Sequence, residues 1–212
     1  MFNDSQFGFR SGRSTIDALV HIDQLILEAL EVKKSTCAIL CDLSKAFDTI
    51  SHEILALKLK YYGIANNELD LIKSYLDDRK QVVVVNGNIS QIKTILSGVP
   101  QGSVLGPILF LIYINDFSRN LTSNSILFAD DTRIMITHKD MDTLNGLTRI
   151  ALNEANIWFS SNKLKLNNEK MQRIFFSIST NNDLQNNVKL LGLNIDSKLS
   201  GIFIFCMSHG II

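Results

Sequence analysis

Apolar and polar positions along this chain follow two different periods. From Ile16 to Leu30, apolar residues recur at Ile16, Leu19, Val20, Ile22, Leu25, Ile26, Leu27 and Leu30. That spacing predicts a helix, with Ser14 placed as its N-cap. "TCAILCDL" is a short apolar run ending on Asp42 and reads as a buried strand. "SHEILALKLKYYG" has Ser51 as cap, Glu53 in the first turn and Gly63 at its close, so both helix ends are marked. Residues 67–77 predict a further short helix. "KQVVVVNGNISQIKTILSG" gives two strand-like runs around Asn86–Gly87, a strong hairpin signal. "SVLGPILFLIYINDF" reads as an apolar helix, "NSILFADDTRIMI" as strand–Asp–Asp–strand, and "DMDTLNGLTRIALNEANIWFSSNKL" as a long helix. Two more strands are expected near 172–179 and 188–195. Interspersed helices and strands with a hairpin predict an α+β fold with a mainly antiparallel sheet packed on helices.

Composition narrows this picture only a little. The chain has 212 residues, 46% of them hydrophobic, enough for a substantial core. Lys+Arg and Asp+Glu are both 21, so net charge neither favours nor excludes a nucleic-acid partner. Cys37, Cys41 and Cys206 show no zinc-type spacing. Reduced thiols and an N-terminus without a signal-peptide core point to an intracellular protein, in nucleus or cytoplasm. The longest apolar run, "VLGPILFLIYI", is shorter than the ~20 residues a membrane span needs, so no membrane partner is expected.

The chemistry begins at Asp130–Asp131. Adjacent carboxylates repel, and a cation between them is the natural neutraliser. At a tight turn both reach one side of a sheet. Asp42, at the end of another predicted strand, would add a third. Mg²⁺ takes oxygen ligands, and two such ions ~3.5–4 Å apart clamp the attacking and leaving oxygens of a phosphoryl transfer. On its own, each of these acids reads as readily as a turn residue, since Asp is favoured there.

Other segments decide between those readings. "FADDT" is similar to the aromatic–Ala–Asp–Asp signature of reverse transcriptases. "CDLSKAFDTISHEILALKL" resembles the first palm motif of the non-LTR retrotransposon type. "SGVPQGSVLGPILFLIYINDF" resembles their Pro-Gln-Gly motif, and "QFGFRSGRSTIDAL" their upstream fingers motif. "WFSSNKLKLNNEK" and "LLGLNID" resemble two later palm motifs. Six such words in the family's order and spacing are specific, and they cover roughly residues 5–197. Within that type the resemblance is to jockey-like elements of animal genomes.

The resemblance implies a right-hand polymerase: an RNA-directed DNA polymerase that joins dNTPs to a DNA primer on an RNA template. The palm and part of the fingers are expected, without a thumb. The implied division is partial fingers over 1–34, palm over 35–63, a fingers-like insertion with a hairpin over 64–97, palm over 98–195 and an atypical tail over 196–212. Asp42, Asp130 and Asp131 would be the catalytic metal ligands, joined by the Leu43 carbonyl, with two Mg²⁺ ions (Mn²⁺ as a substitute). Ser44, Lys45, Ala46 and Phe47 would pass under the triphosphate, with N–H groups available to phosphate oxygens. Phe47 would be an aromatic gate against a ribose 2′-OH. Pro100, Gln101 and Gly102 would touch the template–primer, with Gln101 also near the incoming dNTP. Lys170 would stand near the leaving pyrophosphate or lie solvated at the surface. Arg10 would approach the triphosphate from the fingers side.

Some residues depart from the pattern. Arg133 stands where an apolar strand residue is expected, and would pair with one of the acids and compete with metal. "KM" at Lys170–Met171 replaces Lys-Thr, and the tail "SGIFIFCMSHGII" replaces a Trp- and His-containing continuation. The chain is therefore expected to be a retroelement fragment. The alternative is a catalytically inactive remnant that at most binds nucleic acid. Oligomeric state is not legible.

Overall fold

The computed structural model describes residues 2–167 and 169–178, together with the backbone of two strands, Asn187–Leu190 and Leu193–Asp196. A four-stranded antiparallel sheet organises the molecule. Its strands are β1 (Ser35–Cys41), β6 (Asn124–Phe128), β7 (Asp131–His138) and β8 (Gln172–Phe176), in the order β6-β7-β1-β8. β1 is interior to the sheet and pairs with both β7 and β8. This is why "STCAILC" is buried on both faces rather than alternating with polar residues.

Side chains alternate across the sheet and build two cores. On one face Cys37, Ile39, Ile134, Ile136 and Leu127 pack under α2 (His52–Tyr61), α4 (Leu105–Ile114) and α5 (Met141–Ser161). On the other, Ala38, Ile126, Met135, Ile174 and Phe176 pack with Phe7 under α1 (Thr15–Glu31). Burying each large side chain contributes about 1.5–3 kcal/mol, so the two-sided sheet is the most strongly held part of the fold. α4 is buried from Leu109 through Ile114, as expected of a helix that is apolar all round.

α1 starts where its cap predicted. Ser14 Oγ accepts from the Asp17 N–H while Asp17 reaches back to the Ser14 N–H, a reciprocal capping box. α2 also begins after Ser51, but that side chain forms no cap; the Ser51 N–H donates to the Tyr113 hydroxyl instead. α3 covers Asn66–Leu76.

The segment after α3 differs from its expected form. Four strands of two residues each replace two long runs: β2 (Lys80–Gln81) pairs with β5 (Lys93–Thr94), and β3 (Val84–Val85) with β4 (Asn88–Ile89). The turn at Asn86–Gly87 is present, with positive φ at both residues (49° and 80°), the signs of a type I′ turn. β8 ends at Phe176, short of residue 179. The expected single strand at 188–195 is instead an antiparallel pair, β9 (Asn187–Leu190) and β10 (Leu193–Asp196). The tail from 197 lies outside the described residues. Among the described residues no helix is long and apolar enough to cross a membrane.

Candidate active site

β6 and β7 are joined through Ala129 and Asp130 alone, because Phe128 pairs directly with Asp131. Ala129 sits at φ 55°, a left-handed position where glycine is the default. A loop this short places Asp130 at the tip and Asp131 on the first rung of β7, so both acids stand at one end of the sheet. On the adjoining strand Cys41 pairs with Thr132. One further step along β1 puts Asp42 opposite Asp131. Register thus brings Asp42 and Asp131 to the same end of the sheet and the same cleft across some ninety residues of chain, while Asp130 stands at the turn beside Asp131 and does not line that cleft.

The backbone after Asp42 is fixed from the far side. Its carbonyl accepts from the Asn167 N–H at 2.9 Å, and Leu43 bridges to Leu166. The Ser44 N–H donates to the Lys165 carbonyl at 2.9 Å. The expectation that this amide faces a phosphate is therefore corrected: the 164–167 segment already uses it.

A cleft of about 260 Å³ opens at this sheet end, lined by Asp42, Asp131, Arg133, Lys170, Gln172 and Leu40 among others. Partial desolvation pushes the Asp131 carboxyl up although the residue as a whole is exposed; Arg133 opposes this, and the like charges of Asp130 and Asp42 add to it. The like charges of Asp130 and Asp42 acting on Asp131 make this end of the sheet a ready partner for cations. Lys170 Nζ lies 3.7 Å from Asp42 Oδ2. Arg133 lines the same cleft but forms no ion pair among the described residues, contrary to the expectation of a partner in the triad. It acts on Asp131 through space.

Among the described residues no three His, Cys, Asp or Glu side chains form a ready-made metal cage. The donor chemistry nonetheless fits a hard divalent ion. Mg²⁺ is ordinarily held by one or two carboxylates with waters and substrate phosphates completing the shell, rather than by an all-protein cage.

A second group meets around the turn that follows Asp42 in the chain. Phe47 lies in the short 3₁₀ turn Ala46–Asp48, and its ring stacks on buried Phe110 at 4.6 Å and 28°. Phe9, exposed, meets it edge-on at 6.5 Å. The 97–101 loop is tied to the same turn. Val99 N–H donates to the Phe47 carbonyl, Gly98 N–H to Ile50, and Gln101 Nε2 to Asp48 Oδ1 at 2.9 Å. Gly98 has φ +89°, and a Cβ there would stand 2.7 Å from the Asp48 backbone, so only glycine permits this contact. Pro100 accepts from Ser103, and Gly102 at φ +76° faces open space.

Arg10 is placed differently from expectation. Its guanidinium donates to the carbonyls of Asn3 (2.8 Å) and Gln6 (3.2 Å), holding the N-terminal segment rather than an open phosphate position. That segment runs parallel to the free edge of β6, with Phe7 N–H to Leu127 O and Leu127 N–H to Ser5 O, both 2.8 Å. Gln6 Oε1, which accepts from the Ala129 N–H, and the Asp48–Gln101 link were not among the expected site contacts. Both join residues distant in sequence, and no spacing signals them.

Comparison with known proteins now decides the family. The family described as "Reverse transcriptase (RNA-dependent DNA polymerase)" matches residues 1–195. The chain belongs to the reverse transcriptase family. The resemblance to non-LTR retrotransposon enzymes holds as well. The probable RNA-directed DNA polymerase from transposon BS of Drosophila melanogaster is 30% identical over 91% of this chain and 22% of that protein. The X-element enzyme of the same species is 32% identical over 82% of the chain and 20% of the relative. The enzyme from mobile element jockey, also of that species, is 30% identical over 92% and 23%. The chain thus spans about a fifth of the length of these relatives. Among solved structures, a Candida tropicalis telomerase in complex with a telomeric RNA fragment matches with a TM-score of 0.59 at 16% identity, over 91% of this chain and 33% of that one. This last likeness concerns the fold alone.

Proposed function

We propose that this chain is the palm and partial fingers of an RNA-directed DNA polymerase, adding deoxynucleotides to a primer 3′-OH on an RNA template. The palm is assigned to 35–63 and 98–195, the fingers parts to 1–34 and 64–97. The observation that supports this best is the register of β1 and β7, in which Cys41 pairs with Thr132, so that Asp42 follows on next to Asp131 and both line one cleft beside the Ala129–Asp130 turn. Asp42, Asp130 and Asp131, with the Leu43 carbonyl, would hold two Mg²⁺ ions, or Mn²⁺ in their place. When bound, such ions stabilise charge on both the attacking and the leaving oxygen.

The chain's own residues do the positioning, which is most of the work in phosphoryl transfer. Lys45 to Phe47 form the floor for the triphosphate. Phe47, held against Phe110 with its carbonyl clamped by Val99, cannot swing aside for a 2′-OH and so selects deoxynucleotides. Gln101, tied to Asp48, faces the template–primer together with Pro100 and Gly102. Lys170, which lies beside Asp42, would give charge or a proton to departing pyrophosphate.

One observation favours a second reading. The Lys170 ammonium lies 3.7 Å from Asp42, where it would compete with a cation, as suits a remnant that at most binds nucleic acid. Primer extension separates the two. With an RNA template, a DNA primer, dNTPs and Mg²⁺ or Mn²⁺, the polymerase reading expects addition of a few nucleotides, lost in Asp130→Ala. It also expects Phe47→Ala to accept ribonucleotides. Incorporation no higher than that of the Asp130→Ala protein upholds the remnant.

A further inference from the structure

The turn bearing the acids has a conformational problem. Ala129 holds φ 55°, a left-handed backbone that is strained for any residue with a Cβ. The two-residue loop offers nothing of its own to offset this. A side chain 123 residues away in sequence does. Gln6 is 3% exposed, and its Oε1 accepts from the Ala129 N–H at 3.1 Å and from the Gly8 N–H at 2.8 Å. Its Nε2 points to the Ala129 carbonyl at 3.5 Å, the longest of the three contacts. One carboxamide therefore faces both polar groups of the strained residue. Gly8 completes the fit, since a Cβ there would come within 2.3 Å of the Ala129 nitrogen. Backbone bonds on either side, Phe7 to Leu127 and Leu127 to Ser5, fix the register of the strap that delivers Gln6.

We infer that Gln6 is a positioning residue for the acid-bearing turn: its carboxamide locks Ala129 left-handed and so aims Asp130 and Asp131 at Asp42. The lock rests on the reading of those acids as a metal centre for its functional meaning, but its geometry is independent of that reading. Asp130 directly follows the locked residue and has no strand partner of its own, so it would lose direction first if the lock opened.

The test uses the chain as it stands, in the variants Gln6→Met, Gln6→Glu, Ala129→Gly and Gln6→Met/Ala129→Gly. Methionine keeps length and burial but cannot accept from the two amides. Loss of about one net hydrogen bond predicts that the Ala129 amide exchanges with solvent ~tenfold faster, while amides of Ile39 and Ile134 are unchanged. Mn²⁺ affinity, followed by the spin resonance of the free ion, falls by a similar factor. Ala129→Gly in the Gln6→Met background restores Mn²⁺ affinity at least in part, because glycine adopts positive φ without strain. Glutamate retains the acceptor, so Gln6→Glu keeps the Ala129 and Gly8 amides protected; this variant decides the matter if Gln6→Met does not fold. The inference is overturned if Ala129 exchange is unchanged in Gln6→Met, if all sheet amides speed up alike, if glycine brings no recovery, or if Gln6→Glu loses Ala129 protection. Absence of Mn²⁺ binding by the parent chain would refute the metal reading, and the exchange data would still judge the lock.

Discussion

β1 and the 80–96 segment are built from similar residues and meet opposite fates. "STCAILC" and "QVVVVNGNISQIKTIL" are both apolar and rich in strand formers. β1 has a strand on each side and helices over both faces, and Ile39 and Cys37 are wholly buried. In the other segment Val82 to Val85, Ile89 and Ile92 are exposed, and Leu96 is 85% exposed. Its ladders are two residues long and two strands wide, the kind of unit that is marginal without a packed face. Strand propensity nominates a strand, but only a partner surface makes it long and buried. The contrast also divides labour. The rigid sheet end carries the acids, while the hairpins border a cleft of about 800 Å³ lined by Lys45, Arg79, Lys80, Lys93 and Gln101 among others.

Substitutions should separate the two regions sharply. The largest effect is expected in catalysis at the sheet end. Asp42→Asn should lower primer extension by a factor on the order of 10³ or more, since metal-held charge stabilisation contributes several kcal/mol. Its thermal midpoint should change little, because the exposed ion pair with Lys170 that it gives up is worth little and a like charge beside Asp131 is removed with it. Val84→Ser in the hairpin should change the rate by less than about threefold, within the range of neutral surface changes. Equal losses at both positions would erase the distinction.

Stability comes next. Ile39→Ala should cost about 2–5 kcal/mol in denaturant unfolding, whereas Val84→Ser should stay within ~0.5 kcal/mol. The glycines give a finer contrast. Gly98 and Gly87 both have positive φ (89° and 80°), but a Cβ at Gly87 meets nothing within 4 Å. Gly87→Ala should therefore cost only the backbone penalty of ~1–2 kcal/mol, and Gly98→Ala clearly more, because the Asp48 backbone must move. A smaller effect follows from the β1 thiols. Burial pushes Cys37 up to about 11 and Cys41 to about 12, from an ordinary value of 9.0. The unfolded chain ionises these thiols first, so their contribution is complete below pH 9 and declines as pH rises through 11 to 12. Alkylation mapped by mass spectrometry at pH 8 should accordingly spare both cysteines until denaturant is added.

Much of this molecule was legible before its structure, because its signals are local. The Ser14–Asp17 capping box and the Asn86–Gly87 turn are decided within four residues, and both are present. The position of Asp42 and Asp130–Asp131 at one end of the sheet was legible because Asp42 directly follows β1 and the pair stands at the β6–β7 turn. What escaped depends on tertiary partners. Ser51 is drawn to Tyr113 and forms no side-chain cap, and Arg10 turns to the carbonyls of Asn3 and Gln6. The Ser44 amide is taken by Lys165. Gln6 reads as an ordinary polar residue, and only the folded edge of β6 shows what its carboxamide meets. The hairpin strands were overread for the same reason in reverse: no sequence pattern states whether a face will be covered.

The central claim is that register gathers Asp42, Asp130 and Asp131 into one cation site. Anomalous diffraction from crystals soaked in Mn²⁺ addresses it directly. The account predicts an anomalous peak at the open end of β1 and β7, within coordination distance of Asp42 and at least one of the paired aspartates, and its loss in Asp42→Asn. Mn²⁺ bound only elsewhere, or a peak that survives that substitution unchanged, would contradict it.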